Sequence, residues 1–187
     1  LFDIIRLDHF RGFEKYWEIP AESETAIDGK WIEGPGAALF TRLEKEFGTL
    51  PIVAEDLGTI TPEVDALRDQ FGMPGMKILQ FAFDSGPDNP YLPENHETNS
   101  VVYTGTHDND TLRGWFGSLE DHVRRIALEY LGAAPEELVW SMIEAFLPTD
   151  VEDDDLASVL LFDLERLLHG ELVVGIQDQL HAVQLHA

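Results

Sequence analysis

The chain has no cysteine among its 187 residues. It can form neither a disulfide nor a thiolate metal site, which excludes a small stapled secreted scaffold. Basic residues are scarce: 12 Lys and Arg stand against 36 Asp and Glu, a formal charge of −24. Such a surface repels phosphate backbones and anionic lipid headgroups, so no nucleic acid and no membrane is expected as a partner. Long apolar runs are missing too. Leu172–Ile176 is among the longest, far short of the roughly 20 residues that a spanning helix needs, and no charged-then-apolar leader opens the chain. What remains is a soluble globular domain, expected to be cytoplasmic and large enough to bury a core. Residue 1 is Leu, and the apolar run Leu1-Phe2-Asp3-Ile4-Ile5 begins at once. The chain therefore reads as a piece of a longer protein.

What is present is an alternation of short β-branched runs with longer helical patterns, the signature of βα units around a parallel sheet. Strands are expected at Ile4–Asp8, Ile52–Glu55, Met76–Phe81, Val101–Thr106 and Leu172–Ile176. Four of them are apolar at consecutive positions, as for strands covered on both faces. A helix is expected from Pro35 to Phe47, stopping at Gly48. A second has Thr61 as N-cap, Pro62 in its first turn and Gly72 after its end. Ser118 is expected to cap a third that closes at Gly132, and Pro135 to open a fourth reaching Phe146. Asp153-Asp154-Asp155 precedes a fifth, Leu156–His169, where three carboxylates suit the helix dipole.

Polar residues sit where the strands end: Asp8, Glu55 and the run His107-Asp108-Asn109-Asp110. In parallel α/β folds that edge is where loops converge and sites are built. Carboxylates from three strand ends in one cavity repel one another, so their gathering implies a metal or acid–base chemistry. No pair of histidines has ligand spacing beside a carboxylate on one helix, so no metal and no other cofactor is expected. His96, His122, His169, His181 and His186 read as solvent-facing or structural.

Three segments occur in order: Arg6-Leu7-Asp8-His9-Phe10-Arg11-Gly12, Ala54-Glu55-Asp56-Leu57-Gly58 and Gly105-Thr106-His107-Asp108-Asn109-Asp110-Thr111. Together they resemble the α-glucan-active (β/α)8-barrel clan, and most closely the 4-α-glucanotransferases, the amylomaltase or disproportionating-enzyme family. Trp17-Glu18-Ile19-Pro20, Gly29-Lys30-Trp31, Gly34-Pro35-Gly36 and Gln80-Phe81-Ala82-Phe83 are similar to that family as well. The resemblance is clear over residues 1–147 and weak over 148–187. It implies an α/β fold, a (β/α)8 TIM barrel of which this chain holds about the C-terminal five βα units. The nucleophile would lie on the fourth of eight strands, leaving the N-terminal part of the barrel outside the chain.

The resemblance also implies a site. Retaining cleavage of an α-1,4 bond uses a carboxylate nucleophile and a carboxylic acid about 5–5.5 Å apart. By family match Asp8 is the nucleophile, Glu55 the general acid and then base, and Asp108 the third carboxylate, gripping sugar hydroxyls. Arg6, two residues before Asp8 and so on the same strand face, would orient it. His107 would hydrogen-bond the same sugar, and His9 and Phe81 would line the acceptor side. Trp17, and less so Trp31 and Phe10, could stack on sugar rings, although aromatics in apolar settings usually pack. Asp56 and Asp110 are expected in supporting or capping roles.

The function implied is transfer of α-1,4-glucan segments between maltodextrins. The alternatives are an α-amylase-like retaining hydrolase and a non-catalytic α-glucan-binding fragment. The presence of all three carboxylates argues against the second. The threefold excess of acidic over basic residues, with only Lys15, Lys30, Lys45 and Lys77 among the lysines, further implies a salt-rich cytoplasm as the native setting.

Overall fold

The computed structural model describes residues 3–145 and 173–176. The chain divides into two compact units, Leu1–Met76 and Lys77–Ala187. In the first, β1 (Ile5–Leu7) pairs in parallel with β4 (Ile52–Ala54), placing Arg6 opposite Val53 and Leu7 opposite Ala54. The chain between them carries a short helix α1 (Arg11–Glu14), strands β2 (Lys15–Glu18) and β3 (Lys30–Glu33), and the long helix α2 (Gly36–Phe47). Helix α2 ends at Gly48, whose φ of +79° is open to glycine at no steric cost. Helix α3 (Pro62–Gln70) follows β4. It starts from the extended Thr61 with proline and two carboxylates in its first turn, where the helix dipole favours negative charge.

The core of this unit forms around Phe10, Phe40, Ala54, Val64, Leu67 and Met73. Phe40 is its hub, with ring centroids 5.6 Å from Phe10, 5.3 Å from Phe13 and 5.4 Å from Phe71. Phe10 is fully buried, so its side chain packs the core and presents nothing to a sugar.

Strand β5 (Gly75–Ile78) runs across the boundary between the units and neighbours β6 (Ser100–Tyr103), which in turn neighbours β7 (Val173–Ile176). Helices α4 (Leu112–Ser118), α5 (Asp121–Leu131) and α6 (Leu138–Glu144) belong to the second unit. Its core gathers Leu79, Ala82, Phe83, Leu92, Leu112, Ala127, Leu138 and Met142. Between β5 and β6 the chain makes two 3₁₀ turns, Leu79–Phe81 and Pro93–Asn95, and no α-helix.

Four expectations from sequence need correction. Strands β2 and β3 form an antiparallel hairpin that the alternation of β and α segments concealed. Strand β7 runs antiparallel to β6, whereas a uniformly parallel sheet was expected. Ser118 does not open a helix: it closes α4, its hydroxyl donating to the Trp115 carbonyl at 2.8 Å, and α5 starts from Glu120 instead. The next helix begins at Leu138 rather than Pro135 and ends at Glu144. The expected helix Leu156–His169, its Asp153–Asp155 lead-in and three of the histidines (His169, His181 and His186) lie outside the described residues. No helix among the described residues is long and apolar enough to cross a membrane.

Candidate active site

Asp8 is the first residue after β1, at the C-terminal end of a strand whose register is fixed by β4. Arg6 Nη1 lies 2.9 Å from Asp8 Oδ1. A two-residue step along a strand returns side chains to the same face, so the guanidinium reaches the carboxylate without distorting the backbone. The Asp8 side chain is 73% exposed and its Arg6 partner 28%. The carboxylate is therefore held from beneath and left open above.

The next residue reverses the chain. His9 has φ +48°, a region sparsely populated by non-glycine residues. This turn wraps Glu55, the residue just after β4. Glu55 N donates to Leu7 O at 3.0 Å, Phe10 N donates to Glu55 O at 2.9 Å, and His9 N donates to Glu55 Oε2 at 2.7 Å. The other oxygen, Oε1, accepts from Leu57 N at 3.3 Å. The turn that carries Asp8 thus fixes the main chain of Glu55 on both sides and one oxygen of its carboxylate. Gly12 leaves room for this arrangement, since a Cβ there would stand 3.1 Å from His9 Cδ2.

Asp56 faces the opposite way. Its carboxylate is buried, accepts from Met76 N at 2.7 Å and pairs with the buried Arg68 guanidinium. Arg68 also bonds Asp69 at 2.9 Å. Alternate residues of the β4 edge therefore split into one facing outward, Glu55, and one anchored inward, Asp56, the supporting role expected for it.

In the second unit, Asp108 lies in the loop after β6. His107 Nε2 is 3.4 Å from Asp108 Oδ1, and both side chains are exposed. The loop is shaped by Asn109, whose Oδ1 accepts from Thr106 N at 2.8 Å and from Thr106 Oγ1 at 3.0 Å, while Asp108 N donates to Thr106 Oγ1. Gln80 donates from Nε2 to the Asp110 carbonyl at 2.9 Å. Gly105 packs against the same amide, leaving no space for a Cβ. Asp110 accepts from Thr111 N at 2.7 Å, beside Thr111, the N-cap of α4, which takes Gly114 N at 3.2 Å. Asp110 therefore serves the start of α4.

Phe81 ends the Leu79–Phe81 turn and is partly exposed, with Tyr91 edge-on to its ring at 5.3 Å. Trp17 and Trp31 are directly paired across the hairpin, 5.2 Å apart and edge-to-face, 40% and 49% exposed. The Trp17 indole donates to the Ala26 carbonyl at 2.8 Å and lies over Gly29, where a Cβ would collide with it.

The structure thus joins Arg6, Asp8, His9 and Glu55 through direct contacts, and pairs His107 with Asp108 on a loop tied to the turn that bears Phe81. Sequence reasoning missed the supports: Asn109, Thr106, Gln80 and Arg68. Their signal was present only as polar residues inside otherwise apolar segments, such as Arg68 on the buried face of α3.

A strand-end carboxylate beside an arginine and a second carboxylate clasped by the following turn lie in the first unit, and a third carboxylate lies on a loop of the second. Residues 1–170 match the sequence profile of the 4-alpha-glucanotransferase family, glycoside hydrolase family 77, and the chain belongs to that family. It is 52% identical over 151 residues to the 4-alpha-glucanotransferase of Thermus thermophilus, a match covering 76% of this chain and 30% of that protein. It is 49% identical over 169 residues to that of Synechocystis, covering 89% of this chain and 32% of the relative. Among solved structures it is similar to the amylomaltase from Streptococcus agalactiae in complex with acarbose, with a TM-score of 0.74 and 38% identity over 78% of this chain and 30% of that one. The chain therefore spans about a third of the length of the relatives it matches.

Proposed function

We propose that this chain supplies the catalytic carboxylates of a 4-α-glucanotransferase, working as part of a (β/α)8 barrel whose remaining strands lie in a longer protein. The observation that carries the reading is the clasp between the Asp8 turn and Glu55, in which His9 N–H donates to the Glu55 carboxylate at 2.7 Å while Arg6 holds Asp8 at 2.9 Å. Two carboxylates tied into one turn, one of them open to solvent, are the parts that retaining glycosyl transfer requires.

In the first step an Asp8 oxygen attacks the anomeric carbon of an α-1,4-linked glucose. The bond from that carbon to the leaving O4 breaks, Glu55 gives its proton to O4, and the shortened glucan departs. The sugar is then held on Asp8 as an ester. In the second step Glu55, now ionised, takes the proton from the 4-hydroxyl of an incoming glucan, whose oxygen attacks the same carbon and releases Asp8. Two inversions give net retention. Asp108 and His107 would hold sugar hydroxyls, Arg6 would keep Asp8 aimed, and His9, Phe81 and Trp17 would line the acceptor path. The substrates are maltooligosaccharides, and the setting in this reading is cytoplasmic.

Incubating the full-length protein with maltotriose tests the reaction type. A ladder of longer maltodextrins with glucose is expected. Maltose and glucose alone would make the protein a hydrolase, and unchanged trisaccharide would make it a binder.

A further inference from the structure

Among the described residues Arg11 forms no ion pair, yet it connects the two parts of the first unit that hold and flank the proposed acid. Its Nη1 donates to the carbonyl of Thr59, and its Cζ lies 4.3 Å from the centre of the Trp31 ring. Thr59 ends the segment that starts at Glu55. That segment is anchored near its start by Asp56, through Arg68 and Met76 N, and Glu55 Oε1 accepts from Leu57 N inside it. At the far end a side-chain contact comes from Arg11. Arg11 also follows the His9 turn by two residues, so one short stretch grips Glu55 by its carboxylate and the Glu55 loop by its end. The guanidinium keeps its Nε buried without a hydrogen-bond partner, an arrangement that costs stability. A planar cation on an aromatic face, donating along its plane, is geometry that lysine cannot reproduce.

We infer that Arg11 is a positioning residue for proton transfer: stacked on Trp31, it holds the 55–59 loop so that the Glu55 carboxyl meets the leaving oxygen. The inference rests on the reading of Glu55 as general acid. A purely structural residue would slow every reaction of the enzyme alike, whereas a residue that aims the acid would slow only reactions that need its proton.

The test compares maltotriose with α-glucosyl fluoride in the full-length enzyme. Fluoride leaves as an anion and takes no proton from Glu55, so the rate of fluoride release in the first turnover reports attack by Asp8 alone. In Arg11→Met, kcat on maltotriose should fall about 100-fold with KM little changed, while first-turnover fluoride release changes less than about threefold. Arg11→Lys should fall between wild type and Arg11→Met. Equal losses on both substrates, or no loss on either, would overturn the inference. Glu55→Gln is assayed alongside. If its fluoride release is not spared, the assignment of the acid has failed and the inference falls with it. If Glu55→Gln is spared and Arg11→Met is not, the inference alone has failed. Should Arg11→Met not melt cooperatively, Arg11→Lys, which keeps Trp31 and its contact with Trp17, carries the same comparison and the same two outcomes.

Discussion

At the scale of single residues, the neighbours Glu55 and Asp56 show how adjacent carboxylates are put to different uses. Strand alternation sends one outward to be clasped by His9 N–H and the other inward to Arg68 and Met76 N. Removing one member of a buried ion pair leaves the other charge uncompensated. Asp56→Ala should therefore destabilise the protein by about 3 kcal/mol, toward the low end for such pairs because Asp69 and Asp65 stay beside Arg68. Denaturant unfolding measures it; a loss under about 1 kcal/mol would mean that the pair does not anchor the loop. The strand-end positions of Asp8 and Glu55 were legible in sequence because each directly follows a strand. Their supports were not, since Arg68 reads as one more charge on a helix and Asn109 as one more polar loop residue until the fold brings their partners to them.

At the scale of elements, the helices with strong punctuation were legible and the weakly marked ones were not. Gly48 and Gly132 close α2 and α5 where expected, Gly132 in the left-handed region at φ +60°. The opening of α5 was misplaced because a serine near a helix start resembles a cap, and Ser118 instead folds back on Trp115. The hairpin escaped notice because its strands are four residues long and joined by residues 19–29 rather than a tight turn. Read antiparallel, however, the two tetrads match: Lys15 faces Glu33, Trp17 faces Trp31 and Glu18 faces Lys30, with Lys30 and Glu18 3.4 Å apart. The direction of β7 has no counterpart in the residues of that strand.

The connection between β5 and β6 carries a pH dependence. Burial holds the His96 imidazole below its usual 6.5, with Nε2 3.0 Å from the Tyr91 carbonyl. The folded state then favours neutral histidine. As pH falls past 6.5 the unfolded chain takes up the proton first, and stability drops until folded His96 also protonates. Thermal melts from pH 7.5 to 5.5 should show this decline, and His96→Gln should flatten it. An unchanged slope in the variant would assign the decline to other groups.

For the whole molecule, charge dominates, together with a chain that spans about a third of its relatives' length. A chain of net charge −24 repels itself, and salt screens that repulsion. The melting midpoint of the full-length protein should rise from low to molar KCl, and a flat or falling midpoint would remove the idea of a salt-rich setting. Strand β1 pairs with β4 alone among the described residues, and its first residue Ile5 and the preceding Ile4 are exposed. An apolar edge exposed next to Asp8 would invite association and loosen the residue proposed to attack. The 187-residue chain expressed alone should not disproportionate maltotriose, and a monodisperse fragment with parental activity would contradict that.

The central claim is that Asp8 carries the sugar while Glu55 moves the proton. The direct measurement is to treat the full-length Glu55→Gln enzyme, whose turnover of maltotriose should fall about 10²–10⁴-fold, with α-glucosyl fluoride, then digest it and locate the trapped glucosyl group by mass spectrometry. The account predicts a single glucosylated peptide with the sugar on Asp8. A sugar on any other residue would contradict it.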